Sequence, residues 1–100
     1  SAASDVYKRQ VTAIHRVMAN FMQIRTPQVF LPAKVEVWAS VDGKEFSLLG
    51  SDTCSEEDAG KDVIFRDFGW TGTPTEARYV RFHAIQRKKQ FLFTDEIVIQ

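Results

Sequence analysis

The stretch from Lys34 to Val41 constrains the fold of this chain more than any other. Val35, Val37, Ala39 and Val41 fall on one side of a two-residue repeat, and Lys34, Glu36, Trp38 and Ser40 on the other. Successive side chains of an extended strand point to opposite faces, so this pattern is that of a strand with one face buried. Asp42-Gly43 follows at once, and Phe46, Leu48 and Leu49 come next. Asp-Gly between two such runs signals a β-hairpin, because a two-residue type I′ turn requires positive φ at both central positions. The middle of the chain is therefore expected to form an antiparallel hairpin.

The flanking sequence extends the same reading. From Val11 to Gln23, Val17, Ala19 and Phe21 alternate with Met18, Asn20 and Met22. Apolar residues in both sets predict a strand covered on much of both faces. Gly50 to Lys61 reads as a polar, acidic loop containing Asp52, Glu56, Glu57 and Asp58. Val63 to Trp70 reads as a strand, and Thr71-Gly72-Thr73-Pro74 as a loop. Ala77 to Ala84 alternates again, with Val80 and Phe82 inward against Arg78, Arg81 and His83. Phe91 to Gln100 ends in the β-branched run Ile97, Val98, Ile99 and predicts a last strand. No helical period is sustained and no internal repeat occurs, so short strands between turns argue an all-β antiparallel sandwich.

Composition narrows the function classes. A chain of 100 residues, 44% of them hydrophobic, makes one domain with a real core. It has no apolar run of about 18 residues, so no helical membrane span is expected. Thirteen basic and 13 acidic residues cancel, whereas a nucleic-acid binder carries a basic surplus. Arg87-Lys88-Lys89 is too short for a nucleic-acid or membrane patch and reads as a solvated turn. Cys54 is the only cysteine, which excludes an internal disulfide and a cysteine-rich zinc site.

Ser1 to Gln10, SAASDVYKRQ, is polar and lacks strand alternation. The string from Ser4 to Gln10 resembles a translated sequencing-adapter stretch that recurs at the ends of metagenomic gene models. The alternative is an ordinary flexible tail. Residues 1–10 are accordingly expected to be a non-native or disordered tail, and residues 11–100 a partial domain whose natural chain begins upstream.

Three stretches taken in order resemble a known family. They are Leu31 to Val37 running into Ser40-Val41-Asp42-Gly43-Lys44-Glu45-Phe46, then Ala77-Arg78-Tyr79-Val80-Arg81-Phe82, and finally Phe91 to Val98. Together they resemble the second half of the discoidin, or coagulation-factor C-type, domain, a galactose-binding-like jelly roll. The look-alikes that share Asn20-Phe21-Met22-Gln23 and the aromatic-Leu-Phe-x-Asp-Glu-Ile ending are C-terminal domains of bacterial family 20 glycoside hydrolases, the β-hexosaminidases. The family's opening strands have no counterpart here, and Phe91 stands where the look-alikes often carry tryptophan.

The resemblance implies a non-catalytic carbohydrate-binding module of a secreted glycosidase, extracellular or periplasmic. Its partners would be a glycan ending in galactose or an N-acetylhexosamine, and the catalytic domain of the same parent chain. Sugar sites combine an aromatic face with planar polar groups that bind hydroxyls. The loop from Phe21 to Phe30 supplies Gln23, Arg25, Gln28 and Phe30, and the loop before the last strand supplies Gln90, Phe91 and Phe93. Gln23, Arg25, Phe30, Gln90 and Phe91 are the expected sugar-binding residues. The competing reading has the phenylalanines plugging the end of the sandwich and the polar groups solvated.

The relatives often hold a structural calcium through a glutamate at the last strand, which Glu96 matches, with Asp95 beside it. Calcium takes six to eight oxygen ligands, so Glu96 here is expected to be half of an incomplete site or an ordinary strand carboxylate. No other cofactor is implied. His15 and His83 sit in strand patterns with no nucleophile motif beside them, and Glu56-Glu57-Asp58 reads as a solvated acidic loop. Catalysis by this chain is not expected. Two other classes stay open: a structural domain packed against the catalytic domain, with Trp38 as a contact, and a protein or lipid adhesion module.

Overall fold

The computed structural model describes residues 2–26, 29–86, 93–94 and 96–100. Among these residues six strands and one helical turn follow in order: β1 (Ala2–Ile24), β2 (Lys34–Ser40), β3 (Ser47–Thr53), α1 (Glu56–Ala59), β4 (Val63–Ile85), β5 (Phe93–Thr94) and β6 (Val98–Ile99). All pairings are antiparallel. The sheet runs β3-β2-β4-β1-β5, and β6 also pairs with β1.

β1 and β4 are the long members, and they pair from Ala2↔Ala84 to Ile24↔Val63. Their ladder breaks twice, between Tyr7 and Thr12 and between Ile14 and Arg16. At the second break Thr71 and Thr75 of β4 face Arg16 and Ile14, which leaves Gly72, Thr73 and Pro74 unpaired. Proline has no N–H to donate to a ladder, and extra residues in one strand bend it and increase its twist. The loop expected over Thr71 to Pro74 is thus a bulge inside one continuous strand.

These breaks let the sheet fold over itself. Phe21 pairs in the ladder with Arg66, and Phe82 with Ser4 and Val37. Yet the Phe21 and Phe82 rings stack with centroids 6.1 Å apart, and Phe68 meets Phe21 edge-on at 5.4 Å. Residues that distant within the sheet can meet only across two facing layers. Between the layers lies an apolar core that includes Ile14, Val17, Val35, Val37, Ala77 and Val80. The fold is an all-β antiparallel sandwich, as the alternation predicts.

The hairpin differs from its expected form. β2 and β3 are joined by residues 41–46, not by two residues. Only Gly43 has positive φ, at 79°. Side chains do the rest: the Asp42 carboxylate accepts from the Lys44 and Glu45 amides at 2.8 and 3.0 Å and from the Ser40 hydroxyl at 2.9 Å. An aspartate that caps its own turn in this way replaces the tight turn. Those hydrogen bonds, led by the one from Lys44, hold the Asp42 carboxyl below the usual carboxylate pKa.

The expected acidic loop after Gly50 also changes. Gly50 to Thr53 continue β3 against β2, with Gly50↔Val37 and Thr53↔Lys34. Ser55 then caps α1, accepting from the Asp58 amide at 3.1 Å. Glu56, Glu57 and Asp58 form its first turn, where carboxylates meet the positive end of the helix dipole. The expected last strand is present as two short pairings, β5 on Phe21 and Met22 and β6 on Val17 and Met18.

Residues 2–10 are not a separate tail. Ala2 to Tyr7 form the first part of β1 and pair with Tyr79 to Ala84, on the side of β4 away from β2. An open strand edge carries unmet N–H and C=O groups, and backbone pairing satisfies them whatever the side chains. The segment accordingly needs no apolar alternation. Ala3, Ser4, Asp5, Tyr7, Arg9 and Gln10 are exposed, and the first buried residue in the described chain is Ile14.

Candidate functional site

The outward face of β2 and β4 gathers the densest mixture of aromatic and polar groups. Alternation turns Val35, Val37 and Ala39 to the core and leaves Glu36 and Trp38 outside. The register then sets Trp38 beside Arg81 and Glu36 beside His83, and directly opposed residues share a face. Phe46 reaches over from the β2–β3 connection, and the Arg81 guanidinium lies 4.0 Å above its ring centroid. Asp5, across the ladder on β1, completes an open groove lined by Ala3, Asp5, Glu36, Trp38, Phe46, Arg81 and His83.

The charges in this groove are paired. Asp5 takes a forked contact from Arg81, Nε to Oδ1 at 2.8 Å and Nη2 to Oδ2 at 3.1 Å. That hydrogen bond lowers the Asp5 pKa and raises that of Arg81. Both groups are substantially exposed, so the pair contributes little to stability. Glu36 lies between His83 Nδ1 at 3.5 Å and Lys34 Nζ at 3.6 Å. The result is one half-buried indole beside a guanidinium, an imidazole and a carboxylate. Such a set can stack on the C–H face of a pyranose while donating to and accepting from its hydroxyls.

Of the residues expected from sequence, the described ones, Gln23, Arg25 and Phe30, are placed elsewhere. Gln23 is 1% exposed. Its amide nitrogen donates to the carbonyls of Ala59 at 3.2 Å, Asp58 at 3.4 Å and Lys61. Its amide oxygen accepts from the Leu31 N–H at 3.1 Å. Gln23 is a buried clamp between α1 and the Leu31 segment, and neither end of its amide is left for a sugar. This corrects its expected role. Its parity with Val17, Ala19 and Phe21 is the sequence signal that points it inward.

Arg25 is exposed, and Nη1 donates to the Gly60 carbonyl at 3.3 Å. Phe30 is half-buried. Neither lines the groove. Gln28, Gln90, Phe91 and Asp95 lie outside the described residues.

Glu96 is exposed and borders a second depression with Arg16, Met18, Ala19, Asn20, Asp67 and Val98. The Asp67 carboxylate there accepts from the Asn20 amide at 3.0 Å. Among the described residues no three His, Cys, Asp or Glu side chains are gathered closely enough to hold a metal ion. With a guanidinium on the same depression, these residues do not fit calcium. Cys54 is buried, with its thiol directed to the Ser55 carbonyl at 3.4 Å.

No protein-family model matches this chain, and no curated protein matches it. Among the described residues no helix is long and apolar enough to cross a membrane.

Proposed function

We propose that this chain is a non-catalytic carbohydrate-binding module of a larger, secreted glycoside hydrolase, and that the groove around Trp38 is its sugar site. The observation that carries this reading is Trp38 and Phe46 on an open sheet face, flanked by Glu36, Arg81 and His83. An aromatic side chain on the solvent face of a strand, ringed by planar donors and acceptors, is what weak sugar recognition requires. The ordered discoidin-like motifs add a galactose-binding-like jelly roll, a ligand of the galactose or N-acetylhexosamine type, a β-hexosaminidase-like parent and an extracellular or periplasmic setting. Gln23, committed to backbone partners, is left out of this site.

Calorimetry of the chain with galactosides and N-acetylhexosamines tests this directly. Binding in the millimolar range is expected. Trp38→Ala should weaken it about tenfold, the loss of one stacking contact of about 1–1.5 kcal/mol. Absence of heat with every sugar at millimolar concentration, or an unchanged affinity in a folded Trp38→Ala variant, refutes the reading.

A second reading, a structural domain packed on the catalytic domain, has its own support on the other layer. Phe65 and Val63 are 63% and 61% exposed there, directly opposite Met22 and Ile24. Apolar groups in that arrangement suit a contact with a neighbouring domain. In the parent enzyme, Phe65→Ser should lower the melting temperature and leave sugar affinity alone. An unchanged melting temperature counts against this packing.

A further inference from the structure

We infer that Arg81 is a carboxylate-recognition residue and that the groove takes an acidic sugar, a hexuronate, whose carboxylate position Asp5 occupies in cis. This rests on the sugar-binding reading and names its ligand class.

The Asp5–Arg81 contact is the forked geometry by which a guanidinium reads a planar carboxylate, with its two contacts at 2.8 and 3.1 Å. Asp5 is not the sole contact that holds that fork in place, because the Arg81 guanidinium also lies over the Phe46 ring, 4.0 Å from its centroid. The segment that delivers Asp5 is lightly held. It contributes no buried side chain among those described, and beyond its ladder it is fixed by contacts of Tyr7 and Lys8: the Tyr7 ring meets Tyr79 at 5.2 Å, the Tyr7 hydroxyl meets Arg78, and the Lys8 carbonyl accepts from Arg78 Nε at 3.3 Å. An incoming ligand therefore competes with one exposed carboxylate, not with a packed core.

Charge points the same way. Glu36 is balanced by Lys34 at 3.6 Å. Once Asp5 is displaced, Arg81 is left as an uncompensated positive charge on the groove, beside the indole of its cross-strand neighbour Trp38. One cation next to one aromatic face matches a pyranose ring that carries one carboxylate. An acidic peptide matches the cation but leaves the indole without a ring to stack on.

The test uses the full chain and its Asp5→Asn variant, titrated at low salt with galacturonate, galactose and penta-aspartate. Asp5 is exposed, so the substitution leaves folding intact. Galacturonate should bind Asp5→Asn about two- to fivefold more tightly than it binds the unaltered chain, the range expected for an exposed ion pair. Any gain for galactose should be smaller than the gain for galacturonate. Arg81→Gln in the Asp5→Asn background should erase the preference for galacturonate over galactose. If galactose binds and galacturonate gains nothing from Asp5→Asn, the carboxylate inference is overturned and the sugar-binding reading stands. If neither sugar binds, both are overturned. If penta-aspartate binds more tightly than galacturonate, the groove is a peptide site and the inference fails.

Discussion

Replacing Gly69 by alanine should prevent β1 and β4 from pairing as they do. A Cβ at position 69 would lie 1.9 Å from the Val17 carbonyl oxygen, 2.9 Å from its carbonyl carbon and 3.0 Å from the Met18 Cα. All three atoms are backbone, so no side-chain rotation relieves the clash. Met18 is the ladder partner of Gly69, and the neighbouring Val17 and Phe68 are both fully buried. Neither strand can retreat without opening the core. A forced separation there exceeds the range of ordinary substitutions, more than about 4 kcal/mol, against a total stability of roughly 5–15 kcal/mol for a domain. Urea denaturation followed by circular dichroism should show a collapsed midpoint or no transition. Gly72→Ala is the matched control, since the three atoms nearest its Cβ would all belong to the Trp70 side chain, the closest at 2.9 Å. A Gly69→Ala midpoint equal to that of Gly72→Ala would mean that the two strands do not approach as described.

Gln23→Leu should be the second most damaging change, although it nearly conserves volume. Leucine can neither accept from the Leu31 N–H nor donate to the carbonyls of Asp58, Ala59 and Lys61. Burying donors and acceptors without partners costs about 1–3 kcal/mol for each group that water cannot reach. With the amide clamp gone from both ends, a loss of about 3 kcal/mol is expected in the denaturation midpoint. Amide exchange at Leu31 should accelerate first, because the Gln23 oxygen that accepts from it is removed. A midpoint within experimental error of the parent chain would show that water reaches these groups and that the clamp is not structural.

Much of the fold is legible because it rests on a two-residue period. Lys34 to Ser40 alternates cleanly, and β2 forms there with its apolar face inward. The same parity rule on β4 gives the outward placement of Arg81 and His83 and, with Trp38, most of the groove. The turning of the sheet is less visible. Gly72 and Pro74 are ordinary loop residues in sequence, and nothing local distinguishes a loop from a bulge that carries a strand onto the second layer. Gln23 misleads for a different reason: an amide is a good sugar ligand and an equally good backbone clamp, and only its neighbours decide. Asp5 falls out of a sequence reading because edge pairing depends on main-chain groups, which every residue possesses, and not on the pattern of side chains.

The pairing of β1 with β4 also sets the order in which the chain can be built. The nearest partners are Ile24 and Val63, and the farthest are Ala2 and Ala84. During synthesis β1 emerges before β4, and its ladder partner does not exist until the chain has grown past Val63. β2 and β3, joined by six residues, can close long before that. Pairing between distant segments is slow because the intervening loop must be ordered before any contact rewards it. From the emergence of β1 until β4 follows, the nascent chain therefore carries Val17, Ala19 and Phe21 uncovered, and that interval, more than the finished sandwich, is when this domain is most exposed to aggregation.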